Sequence, residues 1–524
     1  MDKINAIVKK LIMNVMILGL GILVSCSKAP DFITVTSPDG KIKLVVDLKD
    51  SVSYSIVHEG EVLVSPSALA MKFEGGRMLG VGEASYKVKI GSASESVDAP
   101  FYRQNKISAE WNYARVDYAD WTLEFRVYNE GVAWRFETEF ESDAVVLDET
   151  AQFVFPEDPM AWVPYSRGKD LIANSYQSQY TYEKVSRFGS QSNLTFLPVA
   201  VKNKSGKTLL ICESDLRSYP GMFLEGMEGG YSATFAKLPD STYITPTRCQ
   251  LKIATRQDVI ARTEGTRSYP WRIVAVAEND IQLPTNDLVY RLAEAAGTYH
   301  LMLDLHGIYK PTGLNRTYPH IVNFEGVFGL EEVKWSNPDM PLYDVTFPYI
   351  RQVQGPVDYT QGAYINSTKE GFEINYHKPM SQGTRAHQVA TYVVFDSPLT
   401  MLCDTPSHYL ADVPCTEFIT SIPTVFEQTH IIAGQIGEYI VTTREKDGKW
   451  YVGALTNWDE REVIINLSFL EKGKQYTAKL LADAADSSVK PEKYKISTID
   501  VDSASEILVK LAKGGGAALI IEAK

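Results

Sequence analysis

The sequence predicts a multidomain α+β chain: a large N-terminal β-sandwich, an incomplete (β/α)8 TIM-barrel segment and a small C-terminal β-sandwich. Three observations predict it. Alternating apolar and polar residues with turn signals fill the first half, short apolar runs with polar tips follow, and alternation returns near the end. The chain has 524 residues, which leaves room for two to four domains at roughly 100–200 residues each.

In the first region, residues 41–48 (KIKLVVDL) alternate at period two, and 52–64 read as a hairpin turning near Glu59-Gly60. Residues 121–136 read as two aromatic strands around Asn129-Glu130-Gly131, and 199–212 as a hairpin with its turn at Ser205-Gly206. Helical periodicity is nearly absent over some 240 residues, which suggests one large sandwich. The pattern changes after Trp271. Asn286-Asp287-Leu288 opens a helical run, with Asn286 as the candidate N-cap. Residues 299–305, 319–327 and 397–404 are then short apolar runs ending in polar or small residues, the mark of buried parallel strands with chemistry at their C-terminal ends. From about Ile422 strands return, with a hairpin over 438–458 turning at Asp447-Gly448 and further strands at 462–470 and 517–522. The expected division is a signal peptide at 1–25, an N-terminal β-sandwich domain at 26–285, a truncated TIM-barrel domain at 286–415 and a C-terminal β-sandwich at 416–524. The barrel part is the anomaly, because about 125 residues stand where a complete barrel takes about 250.

Composition narrows the function. Hydrophobic residues make up 44% and charged residues 22%, ordinary for a globular chain. The 29 Tyr, 20 Phe and 8 Trp suit carbohydrate, whose C–H faces stack on flat rings, although β-rich proteins are aromatic in any case. A formal charge of −13 repels phosphate backbones and argues against nucleic acid as a partner. Lys3, Lys9 and Lys10 precede an apolar run over 11–24 that is short for a membrane span and right for a signal h-region. It ends in Leu23-Val24-Ser25-Cys26, which resembles a lipobox cut before a lipid-bearing cysteine. The chain is therefore expected to be exported and lipid-anchored at Cys26, in the periplasm or at the outer membrane; the alternative is an ordinary signal peptide with an incidental cysteine. Cys212, Cys249, Cys403 and Cys415 form no CxxC pair, so zinc has no support. Export permits a disulfide, with Cys403–Cys415 or Cys212–Cys249 as candidates, and four free core thiols are an equal alternative.

The chemistry concentrates near Glu325 and Glu331. Glu325 lies at a strand tip, and Glu331 follows six residues later, after Gly326 and Gly329 that let the loop turn back. Such a loop can aim both carboxylates into one pocket, as glycoside hydrolysis needs two acidic functions across the scissile bond. Close carboxylates raise each other's pKa unless a cation intervenes, and a hard divalent ion such as Ca²⁺ prefers oxygen ligands. By spacing alone, two Glu six apart are ordinarily surface residues.

The surrounding words carry more. Leu303-Asp304-Leu305-His306-Gly307, Lys310-Pro311-Thr312-Gly313, Arg316-Thr317-Tyr318-Pro319, the Glu325–Glu331 loop, Gly355-Pro356-Val357-Asp358-Tyr359 and residues 399–406 follow in order. With residues 128–136 and 271–287 upstream, they resemble the glycosidases of glycoside hydrolase family 97 over nearly the whole mature chain. The resemblance implies an N-terminal β-super-sandwich, a (β/α)8 barrel and a C-terminal β-sandwich, acting on α-galactosides or α-glucosides with Ca²⁺ as cofactor. It implies Glu331 as general acid, and Glu325, Glu331 and an N-terminal residue, Gln177 ahead of Glu183, as calcium ligands. His306, Asp304, Asp358 and Asp404 become candidate sugar contacts; a packing histidine and helix-capping aspartates are the bland alternatives. Inverting members carry a catalytic-base Glu at the position of Gly307, whereas retaining members carry Gly there and an Asp nucleophile on an earlier strand. This chain therefore matches the retaining branch, α-galactosidase ahead of α-glucosidase. The family's barrel units between the Asn286-Asp287 helix and the Asp304 strand are missing, because residues 288–294 run almost directly into 295–300. No Asp occurs between Leu288 and Leu303 to serve as nucleophile. The alternatives to an active glycosidase are thus a non-catalytic carbohydrate-binding lipoprotein and a degenerate remnant.

Overall fold

The computed structural model describes residues 30–82, 85–99, 101–167, 172, 176–188, 194–246, 251–293 and 302–524. The expected signal segment with Cys26, the seam at 294–301 and Cys249 lie outside the described residues. Among the described residues, no helix is long and apolar enough to cross a membrane.

Two ten-stranded sheets form the N-terminal part. The first runs from Phe32–Thr36 through Ile42–Asp47, Ser53–His58 and Glu61–Phe73 to Ala144–Val154 and Gly230–Phe235. The second has Thr208–Ser214, Trp271–Ala277, Gly131–Glu139 and Trp121–Tyr128 as successive neighbours. Their facing residues share one core, with Leu44, Ile56 and Phe153 from the first and Phe125, Trp134 and Ile211 from the second. Every residue of Thr208–Ser214 and Trp271–Ala277 is buried. Their other face explains this: Leu210, Cys212, Ile273 and Ala275 pack in a second core with Val289, Phe328, Tyr343, Phe347 and Tyr359 of the middle segment. The second sheet is thus covered on both sides, as near-continuous apolar strands require.

Turn chemistry sets the hairpins. Glu59 and Gly60 have φ of 50° and 86°, and Asp447 and Gly448 have 51° and 75°, the double left-handed geometry that matches the twist of two-residue hairpins. The C-terminal part is a six-stranded sheet, with Tyr439–Lys446, Lys449–Thr456 and Gly516–Ala523 at its centre, facing the pair Arg461–Asn466 and Glu506–Leu511.

The middle departs from expectation in two places. The helix at Leu288–Leu292 has Asp287 at its N-cap, not Asn286, yet the Asn286 Oδ1 still accepts the Leu288 N–H at 3.1 Å. Leu303–Leu305 and Ile321–Phe324 do pair in parallel, but 397–404 forms no strand. The Asn323 side chain takes the bonds a ladder would use, donating to the Leu399 carbonyl at 2.7 Å and to Ser397 Oγ at 3.2 Å. Four segments still lie side by side in chain order. The Glu325 N–H donates to Leu305 O at 2.8 Å, Asp358 N–H to Phe324 O at 3.0 Å and Val357 N–H to Asp396 O at 2.8 Å. These segments close no barrel among the described residues. Cys403 and Cys415 are free, so the disulfide considered between them does not form; Cys212 is free and buried.

Candidate active site

Three chain tips meet at His306. Asp304 lies in the 303–305 strand, Glu325 follows the 321–324 strand, and Asp358 follows Val357. Because adjacent segments run in parallel, their C-terminal ends share one edge, so residues distant in sequence converge. His306 Nε2 pairs with Asp358 and lies 3.6 Å from Asp304 Oδ2, while Nδ1 lies 3.7 Å from Glu325 Oε2. The Gly307 N–H donates to the same Glu325 oxygen. Gly307 has φ of 59°, a conformation that side-chain-bearing residues adopt reluctantly, and a Cβ there would meet open space.

The electrostatics follow from crowding acids in a half-buried corner. Burial, reinforced by the charge of Asp304, pushes the Asp358 carboxyl up to about 6. Burial raises Asp304 as well, and neither of its oxygens meets a hydrogen-bond donor. Burial opposes charge on His306, but Asp358, Glu325 and Asp304 outweigh it and hold the imidazolium to higher pH. Glu331 is raised by burial and then by the negative charge of Glu325, so its proton is retained to higher pH, as a general acid needs. Asp304, His306 and Asp358 present ligand atoms within 4.8 Å of one another. Asp304 and Asp358 keep buried carboxylate oxygens without a hydrogen-bond partner, a donor type that a hard divalent cation prefers.

The other expected residues fall differently. Gln177 lies half-buried in a segment held on the middle region by its neighbours: Tyr176 meets Tyr309 edge-on at 4.4 Å, Gln179 donates to Asp339 O at 3.2 Å, and Tyr180 stacks on Tyr343 at 5.7 Å. Glu183 instead accepts from the Tyr165 hydroxyl. Asp404 acts as an anchor, taking the N–H groups of Tyr364 and Thr405 at 2.7 Å each and His408 Nδ1 at 2.6 Å.

Two supporting groups escaped the sequence reading. Arg351 is buried and donates Nε to Gly326 O at 2.8 Å, Nη1 to Gly355 O at 3.0 Å, and Nη2 to Phe324, Glu325 and Pro356 carbonyls at 3.2–3.3 Å. It ties the loop bearing Glu325 to the turn before Asp358, and burial lowers its pKa to about 10. The only signal was a lone cation inside the apolar run 347–353. The second is Glu213, wholly buried, which accepts from Lys310 Nζ at 2.9 Å, Arg272 Nη1 at 2.7 Å and the Tyr309 hydroxyl. It fastens the 309–310 loop to the sandwich. Burial, against the pull of Glu213, takes the Lys310 ammonium down to about 8.

Comparison with known proteins places this geometry. Residues 35–295 match the model described as Glycosyl-hydrolase 97 N-terminal, 275–327 match Glycoside hydrolase 97, and 425–522 match Glycosyl-hydrolase 97 C-terminal, oligomerisation. A retaining α-galactosidase of Bacteroides thetaiotaomicron is 32% identical over 641 aligned positions that take in 93% of this chain and 96% of the relative. Because 93% of 524 residues is about 490, roughly 150 of those positions face gaps here, the scale of half a barrel. A probable retaining α-galactosidase of Streptomyces bingchenggensis is 31% identical over 161 residues, 30% of this chain and 23% of that protein. In fold, the chain is similar to a family 97 enzyme from Pseudoalteromonas sp. strain K8 solved with acarbose, at TM-score 0.79 and 20% identity, covering 94% of this chain and 100% of that one. It is also similar to a β-arabinopyranosidase, at TM-score 0.79 and 16% identity, over 93% of this chain and 100% of that one. Sequence words, site geometry and these matches agree: the chain belongs to glycoside hydrolase family 97.

Proposed function

We propose that this chain is an exported, lipid-anchored protein that binds α-galactosides at the His306 cluster with Ca²⁺ and, in its shortened form, does not turn them over. The observation that carries the reading is the convergence of Asp304, Glu325 and Asp358 on His306, with the proton-retaining Glu331 alongside. Gly307 and the two retaining α-galactosidase relatives favour galactosides over glucosides. Hydrolysis with retention needs Glu331 to protonate the leaving oxygen while a carboxylate attacks the anomeric carbon; water then releases the sugar with Glu331 as base. The chain keeps the acid. Both aspartates at the site face His306, and the segment expected to hold the nucleophile has no counterpart between Leu288 and Leu303. Glu325 and Glu331 would hold the calcium ion, with Gln177 as the third ligand. When bound, the ion supplies positive charge that offsets the crowding of carboxylates and helps orient sugar hydroxyls. Anchoring follows from the lipobox at Cys26.

Hydrolysis of p-nitrophenyl α-galactoside and α-glucoside by the purified chain, with calcium and with chelator, tests this. The expected result is no calcium-dependent turnover from folded protein. Turnover would show that Asp304 or Asp358 has taken over the missing role, and the silent-site reading would fall.

A further inference from the structure

Glu331 stands between two unlike surroundings. On one side are Glu325 and His306, whose charges act on its carboxyl along with those of the neighbouring Lys334 and Glu332. On the other, Glu331 lines a cavity of about 320 Å³ that Asp304, His306, Glu325 and Asp358 do not reach. A general acid must lie within hydrogen-bond reach of the leaving oxygen. If the sugar occupies the charged side, the leaving group is placed in the cavity.

The cavity wall says what kind of leaving group fits. Leu330, Val333, Met380, Met401 and Leu402 supply branched carbons and thioethers, and the lining has no Trp, Tyr or Phe face on which a second sugar would stack. Methionines make adaptable apolar walls, and a mostly apolar pocket with a few polar groups is the usual form of a small-molecule site. Polar groups also line it, among them Lys334, His377, Lys378 and His408. Asp404 accepts from His408 Nδ1 at 2.6 Å, which leaves Nε2 as the acceptor of the neutral ring. An acceptor there suits a ligand hydroxyl.

We propose that this cavity is the aglycone subsite and that it takes an apolar aglycone, an aryl or alkyl group carrying a hydroxyl, in preference to a second sugar. The assignment rests on the α-galactoside reading above. It makes Met401 and Leu402, 40% and 47% exposed, specificity residues with no role in holding galactose.

Calorimetric titration with galactose, methyl α-galactoside, melibiose and the hydrolysis-resistant phenyl 1-thio-α-galactoside tests it. The wild-type chain should bind the phenyl ligand about tenfold more tightly than the methyl one, the scale of burying one ring. Met401→Ser combined with Leu402→Ser should abolish that advantage and leave methyl α-galactoside affinity unchanged. Equal affinities for phenyl and methyl ligands, a preference for melibiose, or an advantage that survives the double substitution would each overturn the subsite while galactose binding stands. Folded protein that binds none of the four ligands would overturn the α-galactoside reading itself.

Discussion

The N-terminal sandwich and the middle segment are built on different principles. In the sandwich, long ladders satisfy the backbone and two-sided burial supplies the driving force, so each strand is over-determined by its neighbours. In the middle, strands of three and four residues are joined by a few hydrogen bonds, and buried side chains do what longer ladders do elsewhere. Arg351 bridges five carbonyls there, and Asn323 bridges two segments. The chemistry lies on the less regular region, held against the rigid one by Glu213 and Lys310. The difference teaches that the site depends on a few polar side chains, whereas the scaffold depends on many apolar ones.

Paired substitutions break this comparison most strongly. Arg351→Ala should cost about 3–5 kcal/mol, because several buried carbonyls lose a charged donor. The loss should appear as local opening, with faster hydrogen exchange over 321–326 and 355–359 and little change in the sandwich. Trp134→Ala, which empties a site packed on Tyr54 at 4.5 Å, should cost a similar 3–5 kcal/mol but lower one global transition. If Arg351→Ala instead melts the sandwich in step, the two regions are not separable.

A smaller effect sharpens the electrostatic side. Asp358 has a folded pKa of about 6 against an ordinary value near 3.9, so the native state keeps a proton that the unfolded chain releases. Its contribution is therefore full below about pH 4 and is lost as pH rises through 6. Relative to wild type, Asp358→Asn should gain about 1–2 kcal/mol between pH 4.5 and pH 7, read from urea midpoints. A difference that stays flat with pH would contradict the crowding of acids around His306. Smaller still, Asn323→Ala should cost about 1 kcal/mol and loosen 397–400 alone, measured by limited proteolysis.

The same contrast explains what could be read from sequence. The hairpins at Glu59-Gly60 and Asp447-Gly448 were legible because alternation and turn residues are local signals. Glu325 was legible as the tip of an apolar run, and Asp304, His306 and Asp358 through the family resemblance; the structure brings the four together. The strand expected at 397–404 failed because its apolar run is not buried, with Leu399, Met401, Leu402 and Cys403 exposed, and because no local signal shows that Asn323 takes its hydrogen bonds. Arg351 was missed for a related reason: one cation in an apolar stretch has no periodicity, and its five acceptors are backbone atoms that carry no sequence signature. Asp404 was read as a sugar contact or a cap, and the structure uses it as an anchor for backbone and His408.

The most direct test of the central claim is a titration of galactose into wild-type protein and Glu325→Ala, with calcium and with chelator. The account predicts binding by the wild type with calcium, and loss of that binding both in chelator and in the variant. Galactose affinity indifferent to calcium and to Glu325, or its absence from folded wild-type protein with calcium present, would contradict it.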